Sequence, residues 1–273
     1  MAEGKLPLDA MSDSQSNVQP SPLPPPERKA LYVRVLFGRI ARRYDLMNRL
    51  MTLGRDRTWR RHTVSTAAVP SSGRVLDVAT GTGDLALEVL RQRPGAQVVG
   101  IDFTPEMLIL AQHKTDGLRV NARLVNGDAL RLPFADGVFD TVVTGFALRN
   151  VTDIPAAFTE MARVTQANGR VACLEIAKPR LPFFRHLFAF YFYRLVPLLG
   201  GWVTGQRSAY TYLPHSLTAF LTPDEIVAVM DDAGWRGARY RGLMLGAVAV
   251  HTGTKPNSRL CLGLEPEQGQ VPC

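Results

Sequence analysis

Apolar positions between residues 74 and 255 follow two alternating rhythms. RVLDVAT (74–80), AQVVGIDF (96–103), ARLVNGD (122–128), FDTVVTGF (139–146) and GRVACLEI (169–176) are short apolar runs, as expected of buried strands. Between most of them the apolar residues recur at helical spacing. That predicts helices over GDLALEVLRQR (83–93), TPEMLILAQHK (104–114) and IPAAFTEMARVTQ (154–166). Thr104-Pro105 reads as a cap followed by proline at the first helical position. Strand–helix alternation of this kind predicts an α/β fold with a doubly wound, mostly parallel sheet. The end of the chain differs. After a helix over 222–234, ARYRGLML (238–245) and AVAVHTGTK (247–255) are separated by Gly246 alone, so an antiparallel hairpin is expected there.

The flanks carry no such rhythm. Residues 1–29 read as a disordered tail, with five prolines in SNVQPSPLPPPE and little to pack. Residues 257–273 read as a second tail, which leaves 30–256 as one domain with an N-terminal helical cap. The 46% hydrophobic content of the 273 residues suits one domain with a full core. The N-terminus lacks the apolar core of a signal peptide. No stretch reaches the roughly 20 apolar residues of a membrane span. Cys173, Cys261 and Cys273 suggest neither a disulfide framework nor a metal cluster. A cytoplasmic protein, at most peripheral at the inner face of the cell membrane, is expected.

Charge is unevenly placed. Residues 28–61 hold eleven Lys or Arg against Asp45 and Asp56, a net +9 in a chain whose total is +8. Such a run can be a solvated helix face, a surface for anionic lipid, or a site for an anionic substrate group. No nucleic-acid-binding motif accompanies it, so nucleic acid ranks last.

Candidate chemistry gathers at predicted strand ends, where open α/β sheets bind ligands. Gly81-Thr82-Gly83 follows the first strand, and its glycines permit a tight turn and close approach of a ligand. The loop is neither G-x-G-x-x-G nor a phosphate loop, so no pyrophosphate is required. A simple turn would also use these glycines. Asp102 ends the second strand, 19 residues after Gly83, where a carboxylate can accept both hydroxyls of a ribose. Asp128 ends the third strand, where it can take the exocyclic amine of adenine while Ala129 offers its backbone N–H. Either acid alone could be a helix or turn cap. As a set, loop and acids resemble the S-adenosylmethionine site of class I methyltransferases, whose Rossmann-like sheet also ends in an antiparallel hairpin.

Longer motifs narrow the resemblance. IARRYDLMNRLMTLGRDRTWRR (40–61), DVATGTGDLA (77–86), GIDFTPEML (100–108), GDALRLPF (127–134) and FALRNVTD (146–153) occur in that order. EMARVTQANGRVACLEIAKP (160–179) and AYTYLPHSLTAF (209–220) follow. The series closely resembles the UbiE/MenG family of quinone-biosynthesis C-methyltransferases over about residues 33–255. The resemblance implies methyl transfer from S-adenosylmethionine to a ring carbon of a polyprenyl quinol: demethylmenaquinol, or the methoxy-benzoquinol precursor of ubiquinone. The chain has Thr52 where many members have Ser, Gln166-Ala167-Asn168-Gly169 for Lys-Pro-Gly-Gly, and Ala147 within Phe-Gly-Leu-Arg-Asn. Asn168-Gly169 still offers a turn before the fifth strand. Gly145 stands where some members have Ser, and Asp56, where ubiquinone-type members often have His, tilts toward menaquinone.

Ring methylation needs an electron-rich carbon aligned behind the methyl group, with phenolate charge stabilised and a modest base nearby. Arg149 is expected to stabilise the phenolate or orient a water, and Asn150 to bond a ring oxygen. A structural ion pair is the other role open to Arg149. Ile40, Tyr44, Met47 and Met51 recur at helical spacing. That face either packs into the core or closes over the cofactor, with Tyr44 and Asp45 at the substrate. His215 is a weaker base candidate. FFRHLFAFYFYRLVPLLGGW (183–202) could line an isoprenoid channel, rest on the bilayer, or form core or a homodimer interface. A small-molecule O- or N-methyltransferase and a non-catalytic scaffold of a quinone-synthesis complex are the competing readings.

Overall fold

The computed structural model describes residues 24–118, 120, 122–204 and 207–257. The five apolar runs form β1 (Arg74–Val78), β2 (Gln97–Asp102), β3 (Ala122–Asn126), β4 (Phe139–Gly145) and β5 (Thr165–Ile176), all mutually parallel. β6 (Arg236–Leu243) and β7 (Val248–Thr254) form the expected antiparallel hairpin, and β7 also runs antiparallel to β5. Among the described residues these seven strands make one sheet, ordered β3-β2-β1-β4-β5-β7-β6. The order reverses between β1 and β4, so their carboxyl ends flank a crevice open to a ligand.

Side-chain alternation along the strands builds a core on each face. Leu76, Val78, Val142, Val171 and Cys173 join Phe158, Met161, Met230 and Trp235 in one cluster. Their sequence neighbours Val75, Val143 and Ala172 join Leu85, Val89 and Val64 in the other. Burial of each such large apolar side chain contributes about 1.5–3 kcal/mol. The covering helices are α1 (Pro26–Thr52), α2 (Asp56–Ala67), α3 (Asp84–Gln92), α4 (Pro105–Leu118), α5 (Ile154–Val164) and α9 (Pro223–Asp232). Residues 183–202 belong to α6 (Pro182–Phe190), a π-helical turn (Tyr191–Leu195) and α7 (Val196–Thr204), and α8 (Arg207–Thr218) follows.

Two expectations change. Helix α1 starts at Pro26, inside the span 1–29 read as a tail, and Lys29 Nζ donates to Val151 O at 2.6 Å. The rest of that tail, residues 1–23, and 258–273 of the other lie outside the described residues. Asn168-Gly169 is not a turn ahead of β5 but a bulge within it. Asn168 takes φ 62°, and pairing with β4 jumps from Phe139–Thr165 to Thr141–Arg170. Asn168 N donates to Lys255 O and Lys255 N to Gly169 O, both at 2.9 Å. These bonds satisfy the bulged backbone, so the strand continues and begins at Thr165.

Candidate functional site

Two cavities lie at the carboxyl ends of the strands. The first, of about 900 Å³, is bordered by the glycine loop and by the residues after β2, β3 and β4. The two glycines do different work. Gly81 (φ 57°) lines the cavity, and a Cβ built there would meet nothing within 4 Å, so the bare backbone faces free space. Gly83 (φ 82°) packs on α4, where an added Cβ would sit 3.2 Å from Ala111 Cβ. Asp102 is fixed at the cavity edge: its Oδ2 accepts from Gly81 N and its Oδ1 from Thr104 N, each at 2.8 Å. Each oxygen keeps a further lone pair for a ligand hydroxyl. Burial pushes this carboxyl above the usual range, against the pull of the backbone N–H bonds.

Asp128 and Ala129 also line this cavity, and Asp128 Oδ1 accepts from Leu130 N at 2.9 Å. Their loop is braced from α5. Arg163 donates to Leu132 O (2.9 Å) and Phe134 O (2.8 Å), while Glu160 accepts from Leu132 N (2.8 Å).

Thr82 is buried and outside the cavity lining. Its Oγ1 donates to Asp45 Oδ1 at 2.6 Å and accepts from Lys114 Nζ at 2.9 Å. Lys114 also bonds Asp45 Oδ2 and Asp84 Oδ1, both at 2.6 Å, which uses its three protons fully. Asp45 therefore does not sit where substrate contact was expected. It lines neither cavity and instead ties α1 to the glycine loop and α4. Burial alone would raise the Asp84 carboxyl, but Arg60 and Lys114 outweigh it and hold it low. Arg60 links Asp84 (3.6 Å) to Asp56, one turn back on its own helix.

The second cavity, of about 1000 Å³, has apolar walls from α1, from Trp59 and from Phe188, Tyr191 and Phe192. Phe37, Tyr44, Phe146 and Asn150 line both cavities, so the two meet there. Phe146 holds φ 60°, a conformation unfavourable for a bulky residue, with the Trp59 ring 6.3 Å away and the Arg60 guanidinium 5.8 Å from its centroid. Polar groups punctuate the second cavity. Arg149 pairs with Glu175 at 3.2 Å, and Glu175 also accepts from Leu148 N at 2.7 Å. Burial pushes the Glu175 carboxyl up, and Arg149 opposes it. Among the described residues, Arg149 Nε and Tyr210 OH are buried here without a partner. Asn150 Oδ1 lies 3.5 Å from Tyr212 OH, whose phenol burial pushes up to about 12. An apolar chamber with a few unsatisfied donors suits an amphiphilic ring carrying oxygens.

Gly81, Asp102, Asp128, Ala129, Tyr44 and Asn150 converge on the first cavity, and Tyr44, Arg149 and Asn150 on the second. His215 lines neither, its ring standing 6.3 Å from that of Tyr193. Glu175, Asp77 and Lys114 join the two sites without any role announced by the motifs that contain or flank them. An acid inside an apolar strand run, as in GRVACLEI and RVLDVAT, is the signal that marks the first two.

The sequence model described as the ubiE/COQ5 methyltransferase family matches residues 26–255. A demethylmenaquinone methyltransferase of Roseiflexus castenholzii is 52% identical, over 85% of this chain and 97% of that protein. A "Ubiquinone/menaquinone biosynthesis C-methyltransferase UbiE" of Geobacter sp. (strain M21) is 44% identical, over 82% and 96% respectively. Among solved structures, a SAM-dependent methyltransferase of Thermotoga maritima shares the fold, with TM-score 0.58 at 18% identity over 82% of this chain and 99% of that one. So does Haemonchus contortus phosphoethanolamine N-methyltransferase 2 in complex with S-adenosyl-L-methionine, with TM-score 0.53 at 14% identity over 72% and 52%.

Proposed function

The chain belongs to the ubiE/COQ5 methyltransferase family as an S-adenosylmethionine-dependent methyltransferase, and we propose that it methylates a ring carbon of a polyprenyl quinol, converting demethylmenaquinol to menaquinol. The observation that carries this reading is the meeting of two unlike cavities at Tyr44, Phe146 and Asn150. One has the loop and acids suited to a nucleoside, and the other is greasy with a few polar groups.

The residues present fit the cofactor. Free space at Gly81 admits a ligand against the backbone, Asp102 retains lone pairs for ribose hydroxyls, and Asp128 with Ala129 N–H suits the adenine edge. Bound there, S-adenosylmethionine supplies an electrophilic methyl group on a sulfonium. The chain's own work is to hold the ring carbon in line with that methyl group, which accounts for much of the rate. Phe146 and Tyr44 wall the junction through which transfer must pass. Arg149, with its unpartnered Nε–H, offers positive charge to the developing phenolate. Asn150 offers a hydrogen bond to a ring oxygen from the border of both cavities.

A polyprenyl quinol dissolves in the bilayer, so the protein collects it at a membrane surface. Exposed Phe183, Leu187, Phe190, Leu198 and Trp202 on α6–α7 support that contact. Among the described residues no helix is long and apolar enough to cross a membrane. Mass spectrometry of the quinones in a strain lacking the protein tests the substrate. Accumulated demethylmenaquinone supports the reading, an unmethylated benzoquinone precursor moves the assignment to ubiquinone synthesis, and an unchanged quinone pool refutes both.

A further inference from the structure

Asp56 begins α2 and is 2% exposed, yet it lines the second cavity. Among the described lining residues it is the one carboxylate. The other polar groups there are poor proton acceptors: Arg149 and the Trp59 indole are donor-only, Asn48 and Asn150 are amides, and Tyr44, Tyr191, Tyr210, Tyr212 and Thr52 are hydroxyls. Asp56 Oδ2 is engaged by Arg60. Oδ1 has only a contested partner. Thr52 Oγ1 lies 3.1 Å from it but 2.7 Å from Asn48 O, and one hydroxyl proton serves one acceptor well. Oδ1 is therefore an under-satisfied acceptor in a buried, apolar-walled space, a situation that costs free energy until a donor arrives.

We propose that Asp56 is a catalytic residue that accepts the ring-hydroxyl proton of the quinol during methyl transfer. This rests on the quinol reading above. As the ring carbon forms its bond to the methyl group, the carbon–sulfur pair departs with sulfur and the ring becomes cationic. Its hydroxyl is then strongly acidic, so the O–H bond breaks toward Asp56 and the oxygen pair becomes a ring carbonyl. The methylated carbon next loses its own proton to water, the ring regains aromaticity, and Asp56 returns its proton to the oxygen. One proton is released overall. Arg149 supports the developing charge from a different wall, the segment after β4.

The test uses the full chain, S-adenosylmethionine and a short-chain demethylnaphthoquinol kept reduced under anaerobic conditions. Wild-type turnover, measured first, examines the quinol assignment separately. Asp56→Asn is then expected to lower kcat by tenfold or more at pH 7, with the Kd for S-adenosylmethionine within twofold of wild type by calorimetry. Its residual rate should rise about tenfold per pH unit between pH 7 and 9, because bulk ionisation of the quinol replaces the missing acceptor. A loss below tenfold, a deficit unchanged across that pH range, or a parallel loss of cofactor binding overturns the proposal. If Asp56→Asn does not fold, Asp56→His decides. Its ring nitrogen can accept the proton, so kcat within tenfold of wild type is expected, and a larger loss overturns the assignment.

Discussion

Asp45 Oδ1 accepts a 2.6 Å hydrogen bond from Thr82 Oγ1, joining a helix near the N-terminus to the glycine loop that borders the first cavity. Helix α1 thereby belongs to both sites at once, through Asp45 on the loop side and Tyr44 at the cavity junction. Asp45 and its partner Lys114 are each partly solvated, so their pairing contributes modestly to stability and chiefly fixes geometry. Asp45→Ala is expected to lower S-adenosylmethionine affinity by about fivefold to thirtyfold, as one or two hydrogen bonds of about 1 kcal/mol that shape the loop are lost. Calorimetry returning wild-type affinity would show that the loop holds its shape unaided.

Asp102 is proposed to contact the cofactor itself. Its oxygens order Gly81 N and Thr104 N, and the residue lines the first cavity. Asp102→Ala removes both functions, and hydrogen bonds to a charged group contribute about 1.5–3 kcal/mol. Cofactor affinity should fall tenfold or more while the protein remains folded. An unchanged Kd in a folded variant would take Asp102 out of the site.

Arg149 forms a buried ion pair with Glu175 and also lines the second cavity, so both roles that its sequence context left open stay in play. Arg149→Ala alone would strand Glu175, a loss of about 3–5 kcal/mol for a broken buried pair. Arg149→Met with Glu175→Gln avoids the stranded charge. That double variant should melt near wild type and bind S-adenosylmethionine normally, yet turn over at least 100-fold more slowly, since the lost interaction is strongest in the transition state. Near-normal turnover would leave Arg149 a purely structural role.

That Gly81, Asp102 and Asp128 share one cavity was legible in the sequence because each sits at the end of its own apolar run, where a strand stops and the sheet edge begins. The second cavity was not. Its walls come from α1, α2, α6, α8 and the segments after β4 and β6, and only folding brings Thr52, Arg149 and Tyr191 to one chamber. Charge misled in the same way. Arg60 read as part of a basic surface, yet it is buried against Asp56 one helical turn away. The chain-wide pattern of hydrophobicity fixes layers, whereas pairings across elements decide which charges go inside.

Asp77 offers a test in pH. It is fully buried below the glycine loop, with Oδ2 accepting from Thr80 Oγ1 (2.6 Å) and Ala86 N (3.0 Å) and Oδ1 without a partner among the described residues. Burial raises its carboxyl from 3.8 to about 7; nearby Asp102 adds to this, and Arg60 opposes it. The folded state thus favours the neutral acid. Its contribution to stability is full below about pH 4 and is lost as pH rises toward 7. Asp77→Asn cannot ionise, so its unfolding free energy relative to wild type should improve steadily from pH 4.5 to 7.5 in the apo protein. Parallel stability curves for the two proteins would mean that Asp77 does not titrate in this range.

Membrane contact makes the last prediction, and the fold changes which residues should carry it. Helix α1 is held against α7 and the π-helical turn before it, since Arg43 donates to Val203 O and Tyr191 OH to Met51 O (2.7 Å). Both elements carry exposed apolar side chains: Leu46, Leu50 and Leu53 (85%) at the end of α1 and just past it, and Phe183 (84%), Leu198 and Trp202 (86%) on α6 and α7. Arg42, Arg43 and Arg61 are exposed as well, while Arg60 is spent on Asp56 and drops out of any lipid surface. Two mechanisms then add. Each basic residue near anionic lipid contributes about 1 kcal/mol, screened beyond roughly 8 Å at physiological salt. Each large apolar side chain taken from water contributes about 1.5–3 kcal/mol, which salt does not screen. Phe183→Ser with Trp202→Ser should therefore weaken binding to anionic vesicles at least tenfold at any salt concentration. Replacing Arg42, Arg43 and Arg61 with Gln should weaken it only at low salt. Both variants should keep wild-type kcat on a short, water-soluble quinol, because none of these residues lines either cavity. Vesicle binding left intact by Phe183→Ser/Trp202→Ser would remove the bilayer from this face, and a shift from dimer to monomer in the same variant would assign the face to a second copy of the chain.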